Sequence, residues 1–318
     1  MKKGTKLGVI SCLALSLAMS VTAFGAPAKK LVVGFSQIGA ESGWRSAETT
    51  SIKETATKLG ITLKFSDGQG KQENQIKAIR SFIAQKVNGI ILAPKVETGW
   101  DTVLKEAKKA KIPVVLVDRG IKVSDPTLYT TLIASDFVAE GRQAGEWLAK
   151  KLNGKGNIVE LQGTPGAAPA IDRKKGFEEA ISKFADLKII KSQTGNFTIT
   201  DGKQVMEAFL KADGDKINAV YAHNDDMAIG AIQAIEAAGK KPGKDIIIIS
   251  IDGVKSAFEA MVAGKLNCTV ECNPLLGPLA FDAIKQTLNG KKLPKWIKQI
   301  DNVYPQETAA ETIKTRKY

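Results

Sequence analysis

The stretch PVVLVDRG, Pro113 to Gly120, drives an apolar run straight into a carboxylate and a guanidinium. Val114 to Val117 shows no alternation of apolar and polar residues, which is the pattern of a strand covered on both faces. Strands of that kind belong to parallel sheets, and open parallel sheets bind ligands beyond the carboxyl ends of their strands. Asp118 and Arg119 therefore stand where a ligand would be met. Neighbours on a strand point to opposite faces, so the two are expected to find separate partners.

The same design recurs outward from this segment. KLVVGFSQ, ITLKFSD, VNGIILAPK and LYTTLIASD read as further strands before about residue 136, and GNIVELQG, LKIIKSQTG, NAVYAHND, DIIIISIDG and LNCTVECN as strands after it. Helical patterns separate them. ENQIKAIRSFIAQKV places Ile76, Ile79, Ile83 and Val87 on one face. The alternation predicts an α/β fold of two doubly wound parallel-sheet lobes. The chain has no Pro- or Ser-rich tether, so short crossovers should join the lobes.

The strand ends deliver polar groups: Ser36-Gln37, Asp118-Arg119, His223-Asn224-Asp225 and Asp252. Lobes that face each other with these ends inward would gather them in one cleft. A carboxylate accepts hydroxyl protons and a guanidinium donates a planar fork, which together suit vicinal hydroxyls of a sugar. Trp44 and Phe197 can supply apolar plates for the C–H face of a sugar ring. Arg173, beyond the small-residue loop QGTPGAAP, is placed to reach the cleft. Asp225 and Asp226 open a helix, where acids favour the dipole, while Asn224 is the better ligand candidate.

Composition narrows the function. The formal charge is +13, but the lysines are scattered, with no basic arm of the kind that meets nucleic acid. The single histidine, His223, rules out a zinc site with two histidine ligands and reads as a hydrogen-bonded loop residue. No glycine-rich nucleotide motif follows the first strand, and no phosphate-binding P-loop motif is present. No cofactor is expected. Residues 1–25 combine three lysines, an uncharged apolar run and a small-residue end, the layout of a secretory signal peptide cleaved after Gly25. Its removal would take away three positive charges and no acids. Cys12 lies too early for a lipoprotein site. Cys268 and Cys272, four apart on a strand, are expected to stay free thiols.

The order VGFSQ…GWR, IILAPK, PVVLVDR, IDRKKGF, GNFT, YAHNDDMAIGA, ISIDG and ECNPLLG resembles the periplasmic sugar-binding proteins of ABC importers, of the ribose/galactose-binding type. The likeness spans nearly the whole mature chain. Through GFSQIGAESGWRSAE, GNFT and TVECNPLLGP it extends to the family's galactofuranose-binding members. Trp44-Arg45 stands where ribose-type relatives tend to carry two aromatics, which argues against a simple pentopyranose.

The resemblance implies a ligand shell of Trp44, Arg45, Asp118 and Arg119 from the first lobe and Arg173, Phe197, Asn224 and Asp252 from the second. Asn273, before the proline of ECNP, is a further candidate. It implies lobes of residues 29–134 plus 274–302 and 135–273 plus 303–318, with crossovers near Ala134–Asp136, Cys272–Pro274 and Asn302–Tyr304. It also implies no catalysis, a monomer in the periplasm, capture of a monosaccharide by lobe closure, and delivery to a membrane permease. An exported sugar sensor is the alternative, ahead of a glycosidase using Asp118 and Asp252.

Overall fold

The computed structural model describes residues 30–318 together with Met1, Lys2 and Gly4. The apolar run and cleavage site of the expected signal peptide, and Cys12, lie outside the described residues. The first five strands alternate with helices: β1 Val32–Gln37, α1 Gly43–Lys58, β2 Thr62–Asp67, α2 Gln72–Ala84, β3 Gly89–Leu92, α3 Asp101–Lys109, β4 Val114–Val117 and β5 Thr131–Ala134. The next part repeats the plan: α4 Phe137–Lys151, β6 Lys155–Gln162, α5 Ala168–Ile181, β7 Asp186–Thr194, α6 Ile199–Asp213, β8 Ala219–Ala222, α7 Asp225–Ala237, β9 Ile247–Asp252, α8 Lys255–Val262 and β10 Cys268–Glu271. The chain closes with α9 Gly277–Leu288, β11 Trp296–Lys298, β12 Val303–Pro305 and the single turn α10 Ala309–Thr312.

Two six-stranded sheets result, in the orders β11-β5-β4-β3-β1-β2 and β12-β10-β9-β8-β6-β7. The orders are the same, strand for equivalent strand. The equivalents include β4, which leads into Asp118, and β9, which ends in Asp252. All pairings in the first sheet are parallel. In the second, β12 runs antiparallel to β10, a departure from the all-parallel expectation. β3, β4 and β8 are buried at every residue, as their unbroken apolar runs require. Both β11 and β12 are three-residue edge strands, too short to show a pattern in the sequence.

On α2 the buried side chains are Gln75, Ala78, Ile79 and Phe82. Ile76 and Ile83 are only partly buried, so the helix is turned about one residue from the face that its isoleucines suggested. The cause is Gln75, whose Nε2 donates to the carbonyl of Ala93 at 2.7 Å and whose Oε1 accepts from the N–H of Lys95 at 3.0 Å. Satisfying the loop beyond β3 outweighs burying one more aliphatic side chain.

The close approach of α4 and α5 rests on two glycines. A Cβ on Gly141 would sit 2.0 Å from the carbonyl oxygen of Arg173, and one on Gly176 would sit 2.0 Å from that of Val138. This approach brings Glu140 of α4 against Arg173 of α5. Cys268 and Cys272 are both buried free thiols. No helix among the described residues is long and apolar enough to cross a membrane.

Candidate functional site

β4 runs directly into Asp118 and Arg119. The N–H of Arg119 donates to the carbonyl of Val117 at 2.8 Å, closing a three-residue turn on Asp118, whose φ is 63°. The turn breaks the strand's alternation. Asp118 and Arg119 therefore do approach each other, with Arg119 Nε 3.4 Å from Asp118 Oδ2, contrary to the expectation drawn from strand geometry. Asp252, at the end of β9, also has a positive φ, 131°. Asn196 and Phe197 form a third such place, at 53° and 66°. Side chains with a Cβ adopt these values at a cost of about 1–3 kcal/mol each, and such strain gathers where geometry serves a site.

Asp118, Arg119, Phe197 and Asp252 line one small cavity, with about 20 Å³ of room inside it. Its walls are Trp44, Arg45, Asp118 and Arg119 from one side and Arg173, Phe197, Asn224 and Asp252 from the other, with Glu41, Ser42, Pro169 and Cys272 completing them. Asn273 is not among them. Its Oδ1 turns back to accept from the N–H of Leu275 at 2.9 Å, capping the turn after Pro274. Ser36, Gln37 and His223 are buried behind the cavity rather than lining it.

Arg45, the third residue of α1, spreads its fork over three carboxylates. Nη2 donates to Asp118 Oδ2 at 2.6 Å, Nη1 to Glu48 Oε2 at 2.5 Å and Nε to Glu41 Oε1 at 3.1 Å. Burial opposes its charge, but these carboxylates outweigh it and hold the guanidinium's pKa well above the usual value. Arg119 donates Nη1 to the carbonyl of Lys95 at 3.0 Å, and its Nε makes no hydrogen bond among the described residues. Burial, with Arg45 adding to it, pulls the Arg119 pKa down to about 10, so it remains charged at neutral pH.

Arg173 is held in the same manner. Nε donates to Glu140 Oε2 at 2.7 Å, Nη1 to the carbonyl of His223 at 2.6 Å and Nη2 to Asp252 Oδ1 at 3.3 Å. Burial raises Glu140 to about 7 against the pull of Arg173, and it lifts Asp252 well above the ordinary range.

The plates are fixed as well. Trp44 Nε1 donates to the carbonyl of Cys272 at 2.6 Å. The ring of Phe197 lies over Gly163, where an added Cβ would come within 1.9 Å of it, and the Arg119 guanidinium stands 5.3 Å from the ring centroid. Asn224 caps α7 through Oδ1, which accepts from the N–H of Met227 at 3.0 Å, while its Nδ2 donates to the carbonyl of Phe197 at 3.1 Å.

Each lining carboxylate is gripped by one oxygen. Asp118 is bonded through Oδ2, Asp252 through Oδ1 and Glu41 through Oε1, while Glu41 Oε2 is buried without a hydrogen-bond partner among the described residues. The second oxygens of Asp118 and Asp252, with Arg119 Nε, make no hydrogen bond among the described residues and belong to residues that wall the cavity, a set of acceptors and a donor. That set suits a neutral molecule carrying several hydroxyls.

Glu41 and Cys272 were not singled out from the sequence. No motif marks Glu41 in QIGAESGWR, and Cys272 enters because the chain turns at Asn273. His223 is a structural residue. Its Nδ1 accepts from the N–H of Gly163 at 3.3 Å, so Nε2 carries the proton and donates to Glu160 Oε1 at 3.0 Å. Asp225 is likewise turned into its own lobe, against the Ser250 and Thr269 hydroxyls and the N–H of Val254.

Comparison with known proteins agrees with this geometry. Residues 33–292 match the model of a periplasmic binding protein domain. The chain is 54% identical to the galactofuranose-binding protein YtfQ of Escherichia coli (strain K12), over 96% of each chain. It superposes with a TM-score of 0.88 on the periplasmic binding protein component of the arabinose ABC transporter from Shewanella sp. ANA-3, bound to α- and β-L-arabinofuranose; identity is 56%, covering 90% of this chain and 95% of that one. A crystal structure of a galactofuranose binding protein superposes at 0.89 with 55% identity, covering 90% and 98%. With a matching domain model, two like-ordered parallel sheets and one walled cavity, this chain belongs to the periplasmic binding protein family.

Proposed function

We propose that this protein binds a monosaccharide in its furanose form, an L-arabinofuranose- or D-galactofuranose-like sugar, and presents it to an ABC permease. The observation that carries the reading is the cavity wall: eight residues from distant parts of the chain converge there, and its carboxylates each keep an oxygen for a hydroxyl. The furanose preference rests on relatives whose names state such ligands.

In this reading the lobes comprise residues 29–134 plus 274–302 and 135–273 plus 303–318, with residues 1–25 as the export signal of a monomeric periplasmic protein. The sugar meets one lobe first, and bending at the crossovers brings the other down. Closure forms bonds that exist only with both lobes in place, so sugar shifts the population toward the closed form. Trp44 and Phe197 cover the apolar faces of the ring. Asp118, Asp252 and Glu41 accept hydroxyl protons, and the arginines donate.

Titration calorimetry and thermal shift with L-arabinose, D-galactose, D-fucose and D-ribose test the reading. Sugar at about 100 times its dissociation constant should add about 2.7 kcal/mol of stability. L-Arabinose or D-galactose should bind more tightly than D-ribose, and furanosides should not be turned over. Binding of D-ribose alone, or hydrolysis of a furanoside, would refute it.

A further inference from the structure

The acids at the start of α7 divide their work. Asp225 faces its own lobe, whereas Asp226 crosses the cleft. Its Oδ1 and Oδ2 lie 3.1 and 3.2 Å from the backbone nitrogen of Gly43, the first residue of α1. The opening N–H groups of a helix have no partner within it. Here Ser42 Oγ accepts from the N–H of Arg45 at 3.1 Å, and a carboxylate from the opposite lobe takes that of Gly43. A second bond between the lobes lies nearby, from the N–H of Glu97 to the carbonyl of Gly166 at 3.0 Å. None of these four residues lines the sugar cavity, yet Gly43 sits between Ser42 and Trp44, which do, and Asp226 lies two residues from Asn224, which also does.

We propose that Asp226, bonded across the cleft to the first N–H of α1, is a closure latch: a positioning residue that sets how tightly sugar is held without touching it. The proposal rests on the sugar-binding reading above. The bond exists only when the lobes meet, so its free energy belongs to closure and should appear mainly in the rate of sugar release. The carboxylate also gains from the positive ends of two helices, its own α7 and the facing α1.

The latch carries a pH signature. The charged groups around Asp226 are acidic: Glu41 on the loop before α1, Asp225 on its own helix and Asp252 at the end of β9. Arg45, on α1, is engaged by Glu41, Glu48 and Asp118. Burial, with Glu41 adding to it, raises the Asp226 pKa to about 6. Opening returns the group to water and toward its ordinary value. Closure therefore takes up protons at pH values between the two, and lowering the pH through about 6 toward the ordinary carboxylate range should tighten binding.

Four variants test the latch with L-arabinose and D-galactose as probes. Asp226→Ala should weaken binding about tenfold, through faster release, as befits loss of a hydrogen bond to a charged group. Gly43→Pro removes the same bond from the other side. Proline is well tolerated at the first position of a helix, and Ser42, at φ −143° and ψ 161°, already has the extended backbone that must precede it. Its Cδ also stands where the N–H met the carboxylate, so it should weaken binding at least as much as Asp226→Ala, and the double variant, which removes that clash, should return to the level of Asp226→Ala. Asp226→Asn keeps an acceptor and should retain wild-type affinity with a flatter pH profile.

Unchanged affinity and release rate in Asp226→Ala and Gly43→Pro would overturn the proposal. So would an Asp226→Asn variant as weak as Asp226→Ala, or one with the wild-type pH profile. Should Asp226→Ala fail to fold, Gly43→Pro decides alone. Failure of the wild-type protein to bind either sugar would instead strike the sugar-binding reading.

Discussion

Each lobe brings an arginine and a carboxylate on a strained turn to the cavity and backs the arginine with a buried glutamate outside the wall, but the two sets are built differently. In the first, Arg45 joins Asp118, Glu48 and Glu41, and a second cation, Arg119, stands 3.4 Å from Asp118 and 3.8 Å from Glu41. In the second, Arg173 alone bridges Glu140 and Asp252. The matching sheet orders make Asp118 and Asp252 structural equivalents. The difference is thus in redundancy: one lobe has two cations for its carboxylates, the other a single one. Burying a carboxylate without a cation is far more costly than exchanging one cation for another.

Removing each cation separates the two sets most sharply. Arg173→Ala leaves Glu140 and Asp252 buried without a counter-charge and should lower stability by about 3–5 kcal/mol in urea unfolding. Arg45→Ala should cost less, because Arg119 remains close to Asp118 and Glu41. Equal losses would show that Arg119 does not share the load.

Asp118→Asn comes next. It keeps the shape of the side chain but loses the ion pair with Arg45 and a charged acceptor for sugar. Affinity for L-arabinose, measured by calorimetry, should fall about a hundredfold, as expected for charged hydrogen bonds worth about 1.5–3 kcal/mol. Trp44→Phe probes the crossing of the first lobe to the turn at Cys272. It keeps most of the plate and loses the bond to the Cys272 carbonyl, so a loss of about 1 kcal/mol, some fivefold in affinity, is expected. A hundredfold loss would mean that the indole N–H, and not the ring face, dominates.

The last prediction concerns pH. Burial raises Glu48 and Glu140 to about 7 from an ordinary 4.5, each against its arginine. The folded chain keeps these protons where the unfolded chain has released them. Their contribution to stability is therefore complete below the unfolded value and lost as pH rises through 7. The urea midpoint should decline from about pH 5 to about pH 8, and Glu48→Gln and Glu140→Gln should each flatten the slope. Glu160, lowered to about 2 as His223 and its other partners outweigh burial, acts in the opposite sense only in strong acid.

Much of the architecture was legible in the sequence because strands covered on both faces must be apolar throughout, as in VVLV and IIIIS. The strand ends then marked Asp118, Asp252 and Asn224 as cavity residues before any contact was known. What the sequence hid was set by contacts between distant residues. The turn at Asp118 reverses the expected separation of Asp118 from Arg119. Gln75 rotates α2. The cap on Leu275 draws Asn273 out of the wall and leaves Cys272 in its place. Asp226 read as one of two dipole-favouring acids, yet it bonds to the opposite lobe.

The amino-acid order by itself determined two α/β lobes, their strands and the polar residues carried at the strand ends, because burial and periodicity are local properties of a chain. Only the tertiary structure decided which arginine holds which carboxylate, which oxygens remain for a sugar, and which acid spans the cleft. Those choices depend on distances between groups far apart in sequence, and the energy of a buried charge is fixed by whatever lies within a few ångströms of it.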